Sequence, residues 1–168
     1  MNELKHSGTY LEQKLIEALD VGDFEEVKTI MESSDIDLNN VKDSYGRNVI
    51  HKAALLKETK TLELVLQVCK RVNAKNEDGD TPIIYACRKN RLGNVALLLR
   101  NGASPNVKSG VVGGYAPLHI AAEKNNIELV KLLLDNGADR GLENDSKKKA
   151  VALAKCAEIK KLLLRPRD

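Results

Sequence analysis

Thr81-Pro82-Ile83-Ile84-Tyr85-Ala86-Cys87 and Ala116-Pro117-Leu118-His119-Ile120-Ala121-Ala122 are two versions of one motif. The first leads to Leu97-Leu98-Leu99-Arg100-Asn101-Gly102-Ala103-Ser104, the second to Leu132-Leu133-Leu134-Asp135-Asn136-Gly137-Ala138-Asp139. A looser copy opens earlier, at Asn48-Val49-Ile50-His51-Lys52-Ala53-Ala54. The starts at 48, 81 and 116 lie 33 and 35 residues apart. A period of this size marks a repeat array, in which each unit buries its apolar face against its neighbours.

Within a repeat the apolar residues recur with helical period and are interrupted twice by turn formers. Asn76-Glu77-Asp78-Gly79-Asp80 is polar and holds an Asp-Gly pair, a strong turn signal. Thr81 is placed to cap a helix whose first residue, Pro82, has no N–H to leave unsatisfied. That helix is predicted to run to about Lys89, with Asn90-Arg91 turning the chain into a second helix over Leu92 to Arg100. Gly102 then stops it with positive φ. The next copy reads likewise, with helices over Pro117 to Lys124 and Ile127 to Asn136 before Gly137. Its leading loop, containing Gly110-Val111-Val112-Gly113-Gly114, is two residues longer. In the copy at 48, Asn48-Val49 replaces Thr-Pro and Cys69 stands where the closing glycine belongs, so its second helix is expected to end less sharply. Helices this short are unstable alone and must pack.

The ends read as caps. Thr9-Tyr10-Leu11-Glu12 and Asp23-Phe24-Glu25-Glu26 resemble capping boxes ahead of two helices. Ala150 to Lys155 and Ala157 to Leu164 form a shortened last pair, stopped by Pro166. The expected organisation is a flexible tail over 1–8, one repeat domain over 9–164 and a tail over 165–168. Its repeats divide near 9–42, 43–75, 76–108, 109–143 and 144–164, three interior pairs between two capping ones.

Composition agrees with an all-α stack. Hydrophobic residues make up 42% and charged residues 30%, as in a soluble globular chain. Aromatics are 3%, with no Trp and one Phe, so the core must come from Leu, Ile, Val and Ala. No apolar run is long enough to span a bilayer, and Met1 to His6 leads into no signal-type stretch. Cys69, Cys87 and Cys156 are odd in number and widely spaced, which argues against disulfides and zinc and for a reducing compartment, cytoplasm or nucleus. Charge is uneven: residues 1–41 hold ten acids and three bases, whereas 145–168 hold three acids and eight bases.

The motifs quoted above resemble the ankyrin repeat. The family's T-P-L-H-x-A-A appears at 81–87 and 116–122, and its L-L-x-x-G-A-D closing at Leu133-Leu134-Asp135-Asn136-Gly137-Ala138-Asp139. The resemblance covers about residues 12 to 164. It implies an all-α solenoid of stacked helix-turn-helix pairs with projecting β-hairpin-like loops, which binds proteins through loop tips and the first helix of each pair. It also implies that His51 and His119 tie adjacent loops together, a linkage that Ile84 would forfeit in the third copy.

Chemistry-bearing motifs are absent from the sequence. No G-x-S-x-G, H-E-x-x-H, phosphate-binding glycine loop or ligand-spaced His/Cys cluster occurs, so no catalytic role, metal or cofactor is expected. Cys87 reads as a small buried hydrophobe. The basic run Lys147-Lys148-Lys149 with Lys155, Lys160, Lys161, Arg165 and Arg167 is first a solvated cap. Nucleic acid is disfavoured because no aromatics interleave for base stacking. The expected partner is a protein, and the chain a monomer. Tyr45 and Tyr115 fall in projecting loops, with Arg47, Glu77, Asp80, Arg88, Lys89, Glu123 and Lys124 placed beside them at exposed register positions. Leu55 and Leu56 stand where the third copy has Arg88 and Lys89; they are either an apolar anchor in a polar rim or buried by altered packing. The reading is an interaction module acting as inhibitor, adaptor or host-delivered effector. The rival is an ancillary subunit of an enzyme or nucleic-acid complex working through the basic cap.

Overall fold

The computed structural model describes residues 3–33, 35–111 and 113–165. Among them ten helices form five antiparallel pairs: α1 (Glu3–Val21) with α2 (Phe24–Ser33), α3 (Val49–Leu55) with α4 (Lys60–Val68), α5 (Pro82–Arg88) with α6 (Leu92–Arg100), α7 (Pro117–Glu123) with α8 (Ile127–Asp135), and α9 (Ala150–Leu153) with α10 (Ala157–Leu164). The first helices of successive pairs pack on one another, as do the second helices, which gives an all-α solenoid of two layers. Ala53-Ala54, Ala86-Cys87 and Ala121-Ala122 have no exposed surface and let neighbouring first helices approach closely. The core runs unbroken from Leu15 to Leu163, built of Leu, Ile, Val and Ala.

Local chemistry sets the helix ends. At the end of α6 the Ala103 N–H donates to the Leu98 carbonyl (2.9 Å) and the Gly102 N–H to the Leu99 carbonyl (3.1 Å). Ala138 and Gly137 repeat this at the end of α8, with Gly137 at φ 83°. The turns inside the third and fourth pairs are closed the same way by Asn90 and Asn125, at φ 56° and 52°. α4 ends differently, yet in a defined way: Cys69 is extended and the Lys70 ammonium donates to the Leu66 carbonyl (2.7 Å) in place of a glycine turn.

Two local expectations are corrected and one holds. α1 already runs from Glu3, so Thr9 lies inside it rather than at its start, and residues 3–8 are its first turns. Thr81 sits at the N-cap of α5, but its buried hydroxyl makes no cap bond. The Asp23 carboxylate does cap α2, accepting from the Glu26 N–H (3.1 Å). Met1, Asn2, Val112 and Pro166, with the remainder of the C-terminal tail, lie outside the described residues.

A Cβ added at Gly137 would meet nothing within 4 Å, so only the left-handed backbone resists a side chain there. Gly137→Val is expected to cost about 2 kcal/mol in denaturant melts and Gly137→Asn much less, since asparagine tolerates that region. Equal costs would show that this conformation is not what the glycine supplies.

Candidate interaction surface

Between pairs the chain forms hairpins at 43–47, 76–80, 109–115 and 144–148, each closed by a backbone bond. A short polar side chain opens every one. Asp43 Oδ1 accepts from the N–H groups of Tyr45 and Arg47, Asn76 Oδ1 from Asp80, and Asn144 Oδ1 from Ser146 and Lys148. Neighbouring hairpins bond edge to edge: the Glu77 N–H donates to the Tyr45 carbonyl (3.1 Å) and the Asp145 N–H to the Gly113 carbonyl (2.9 Å).

Side chains fasten the same joints. In α3, His51 Nδ1 accepts from the Asn48 N–H (3.2 Å), and Nε2 meets the Asp80 carbonyl (3.0 Å) in the next hairpin. His119 repeats this with the Ala116 N–H (3.2 Å) and the Lys148 carbonyl (2.9 Å). A backbone N–H only donates and a carbonyl only accepts, so the His119 ring, set between one of each, carries its proton on Nε2, whereas His51 Nδ1 also lies 2.6 Å from the Asn48 amide oxygen. The joint between them has Ile84 in place of the ring. There Arg88 binds the buried Asp80 carboxylate and donates to Ser109 Oγ (2.8 Å), so a guanidinium spans the step that an imidazole spans elsewhere. Farther along the hairpin loops, the Asn73 amide donates to the Gly102 carbonyl (2.9 Å) and its oxygen accepts from the Ser104 N–H (2.9 Å). Asn106 makes the matching pair with Gly137 (3.1 Å) and Asp139 (2.8 Å).

The first hairpin carries the most exposed ring of the loop tips. Tyr45 is 60% exposed, and the Arg47 guanidinium lies 5.1 Å from its centroid. Arg47 is held in turn by Asp43, through Nε (2.6 Å) and a terminal nitrogen (2.6 Å) to Oδ2. Burial pushes the Asp43 carboxyl up, but hydrogen bonds from the Arg47 side chain and from the Arg47 and Tyr45 backbones outweigh it and leave the group below its ordinary value. Beneath them Lys52, fully buried, pairs with Asp43 (3.4 Å) and with Asp20 of α1. These groups and the α1 face bearing Glu12, Ile16 and Glu17 border an open groove of about 480 Å³.

Models of the ankyrin repeat match residues 15–109, as three consecutive copies, and 113–145, as a single one. The chain belongs to the ankyrin-repeat family. An ankyrin repeat protein of Acanthamoeba polyphaga mimivirus is 34% identical to it over 68 residues, which are 40% of this chain and 9% of the relative. Ankyrin repeats are interaction modules, generally without enzymatic activity.

On this ankyrin array the residues singled out in the sequence divide into separate places. Tyr45, Arg47 and the exposed Glu77 share one hairpin edge. Asp80 is corrected: it has no exposed surface and serves the Arg88 joint, and Arg88 itself is half-buried by that duty. Tyr115 is half-buried as well, packed on the core with its ring 5.8 Å from His119 and its hydroxyl 3.5 Å from Glu123. A loop-tip reading of that ring by register missed its neighbour four residues on. Lys89, Glu123 and Lys124 are exposed. Leu55 and Leu56, half-buried, sit at the other end of α3 from Tyr45 and line a different groove. Lys52 and Tyr85 were overlooked. They occupy the variable position of the motif, held by Ile120 in the fourth copy, and Tyr85 accepts from the Asn76 amide (3.0 Å) while stacking edge-on to His51. The two buried thiols are muted: burial pushes Cys69 up to about 11 and Cys87 higher still. No helix among the described residues is long and apolar enough to cross a membrane.

The two joint imidazoles make stability acid-sensitive. Burial lowers both below the ordinary value of 6.5, outweighing the hydrogen bonds to the Asp80 and Lys148 carbonyls. With depressed values in the folded state, the unfolded chain binds more protons over that interval, so stability is full above 6.5 and falls as pH drops toward the folded values. The melting temperature is expected to fall between neutral pH and pH 5, and His51→Gln/His119→Gln to flatten that slope at a lower overall stability. An unchanged slope would place the acid sensitivity elsewhere.

Proposed function

We propose that this ankyrin array is a non-enzymatic protein-interaction module that holds a protein partner on its hairpin tips and on the adjoining first-helix surface. The observation that carries the reading is Tyr45, an aromatic ring 60% exposed at a tip and positioned by Arg47 and Asp43. An exposed ring fixed before binding offers contact area with little ordering entropy to lose. Glu77 on the neighbouring hairpin, together with Glu12 and Glu17 across the groove, supplies a polar rim. The effect follows from occupying the partner's surface, whether as inhibitor, adaptor or host-delivered effector, in the cytoplasm or nucleus.

Tyr45→Ala is expected to leave the unfolding free energy within about 1 kcal/mol of wild type, as exposed substitutions do. The same change should abolish capture of a protein that immobilised wild type retains from lysate. Equal retention by both would sink the hairpin-tip reading. The search would then move to the basic cap at Lys147 to Lys149, with salt-dependent binding of a nucleic-acid probe as the next measurement.

A further inference from the structure

The turn inside the second pair differs from those of the third and fourth. α5 and α6 are separated by residues 89–91, and α7 and α8 by residues 124–126, each turn closed by an asparagine in the left-handed region. α3 and α4 are separated by residues 56–59, one more, with no such asparagine; Leu56 is extended at φ −67° and ψ 156°. Leu56 comes to rest near Gly22, where an added Cβ would lie 3.3 Å from its Cδ2.

Beside this turn lies a groove of about 320 Å³ whose apolar lining is Val21, Leu55 and Leu56. Val21 is 81% exposed, more than any other large apolar residue among those described. The rim is basic. Lys57, Lys60 and Arg91 border the groove against a single acid, Glu58. Two of these cations are held in place without being neutralised: Lys60 Nζ lies 4.4 Å from the Phe24 ring centroid, and Arg91 Nε donates to the Leu55 carbonyl (2.9 Å). Among the described residues none of the three makes an ion pair with a carboxylate. The aliphatic lining and the net-positive rim lie at the opposite end of α3 from Tyr45.

We propose that this groove is a second docking site, which takes a short acidic amphipathic peptide segment of a partner. Leucine-type side chains of the segment pack on Val21, Leu55 and Leu56, while its glutamates or aspartates face Lys57, Lys60 and Arg91. Charge complementarity selects the occupant. A basic segment would meet like charge on the rim, and a neutral one would leave those cations without a counterpart. The site stands independently of the hairpin-tip surface, so either can fail alone.

The test is fluorescence anisotropy of the full chain with a fluorescein-labelled peptide that presents leucines on one helical face and glutamates on the other, at low and at physiological salt. Wild type is expected to bind it, more weakly as salt rises. A peptide with lysine for every glutamate should bind at least about tenfold more weakly. Lys57→Glu/Lys60→Glu, both exposed and free of structural bonds to carboxylates, should weaken the acidic peptide by about tenfold, and Val21→Asp should remove binding. Tyr45→Ala should bind as wild type does, which separates this site from the hairpin tips. No binding to wild type, or binding indifferent to the lysine reversals, would overturn the proposal. A concentration-dependent dimer in sedimentation that Val21→Asp dissolves would overturn it too, by giving the groove to a second copy of the chain.

Discussion

Replacing Asp43 by alanine is expected to lower the unfolding free energy by about 3 kcal/mol or more, a large effect for one hairpin residue. Asp43 has two roles. Its Oδ1 accepts the N–H groups that shape the turn, and its Oδ2 meets Arg47 and the buried Lys52. Removing it leaves the Lys52 ammonium with Asp20, whose side chain is 55% exposed, as its remaining carboxylate. Asp43→Asn should separate the roles, because Asn76 and Asn144 shape their hairpins with an amide oxygen. It should keep the turn and lose the charge pairing. Lys52→Met placed on Asp43→Ala should recover part of the loss, since a buried ammonium left with only the exposed Asp20 carboxylate costs more than its apolar replacement. Denaturant melts of the two single variants and the double decide it: strict additivity would mean that Asp43 and Lys52 do not act as a pair.

Gly110→Ala is expected to cost about 3 kcal/mol, for a reason unrelated to backbone conformation. An added Cβ would lie 1.9 Å from the Asp78 carbonyl oxygen and 3.0 Å from the Gly79 Cα, so two hairpins would have to separate. Their separation would also strain the Arg88 bond to Ser109, the residue just before Gly110. Gly102→Ala is the control. There φ is 86° and nothing lies within 4 Å, so only conformational cost remains, about 1 kcal/mol. Similar losses in the two variants would show that the hairpins do not touch at Gly110.

The architecture was legible because its signals are local and recur. Proline at the first turn, glycine after the last and helical spacing between them placed the helices of the third and fourth pairs within a residue or so of where they lie. The imidazole joints were legible through the family motif. What stayed hidden crosses from one repeat to the next. Asp80 looks like an exposed loop acid until Arg88, eight residues on, is seen to claim it for the joint that Ile84 gave up. Lys52 looks like a surface cation until Asp43 and the α1 residue Asp20 enclose it. Reading by register compares each residue with its counterparts, whereas burial is decided by neighbours that register does not supply. The turn at Leu56 was legible in principle, as one extra residue between helices and a missing asparagine, but the leucines drew the attention and the spacing did not.

The amide clamps of Asn73 and Asn106 have a consequence for the size of the molecule. They lie 33 residues apart and grip equivalent groups in the following loop, Gly102 with Ser104 and Gly137 with Asp139. Each clamp therefore asks only for a successor of the same kind. Lengthening the array by one such block requires no new type of fastening there, and its reach across a partner can change in whole-repeat increments while every existing loop keeps its grip.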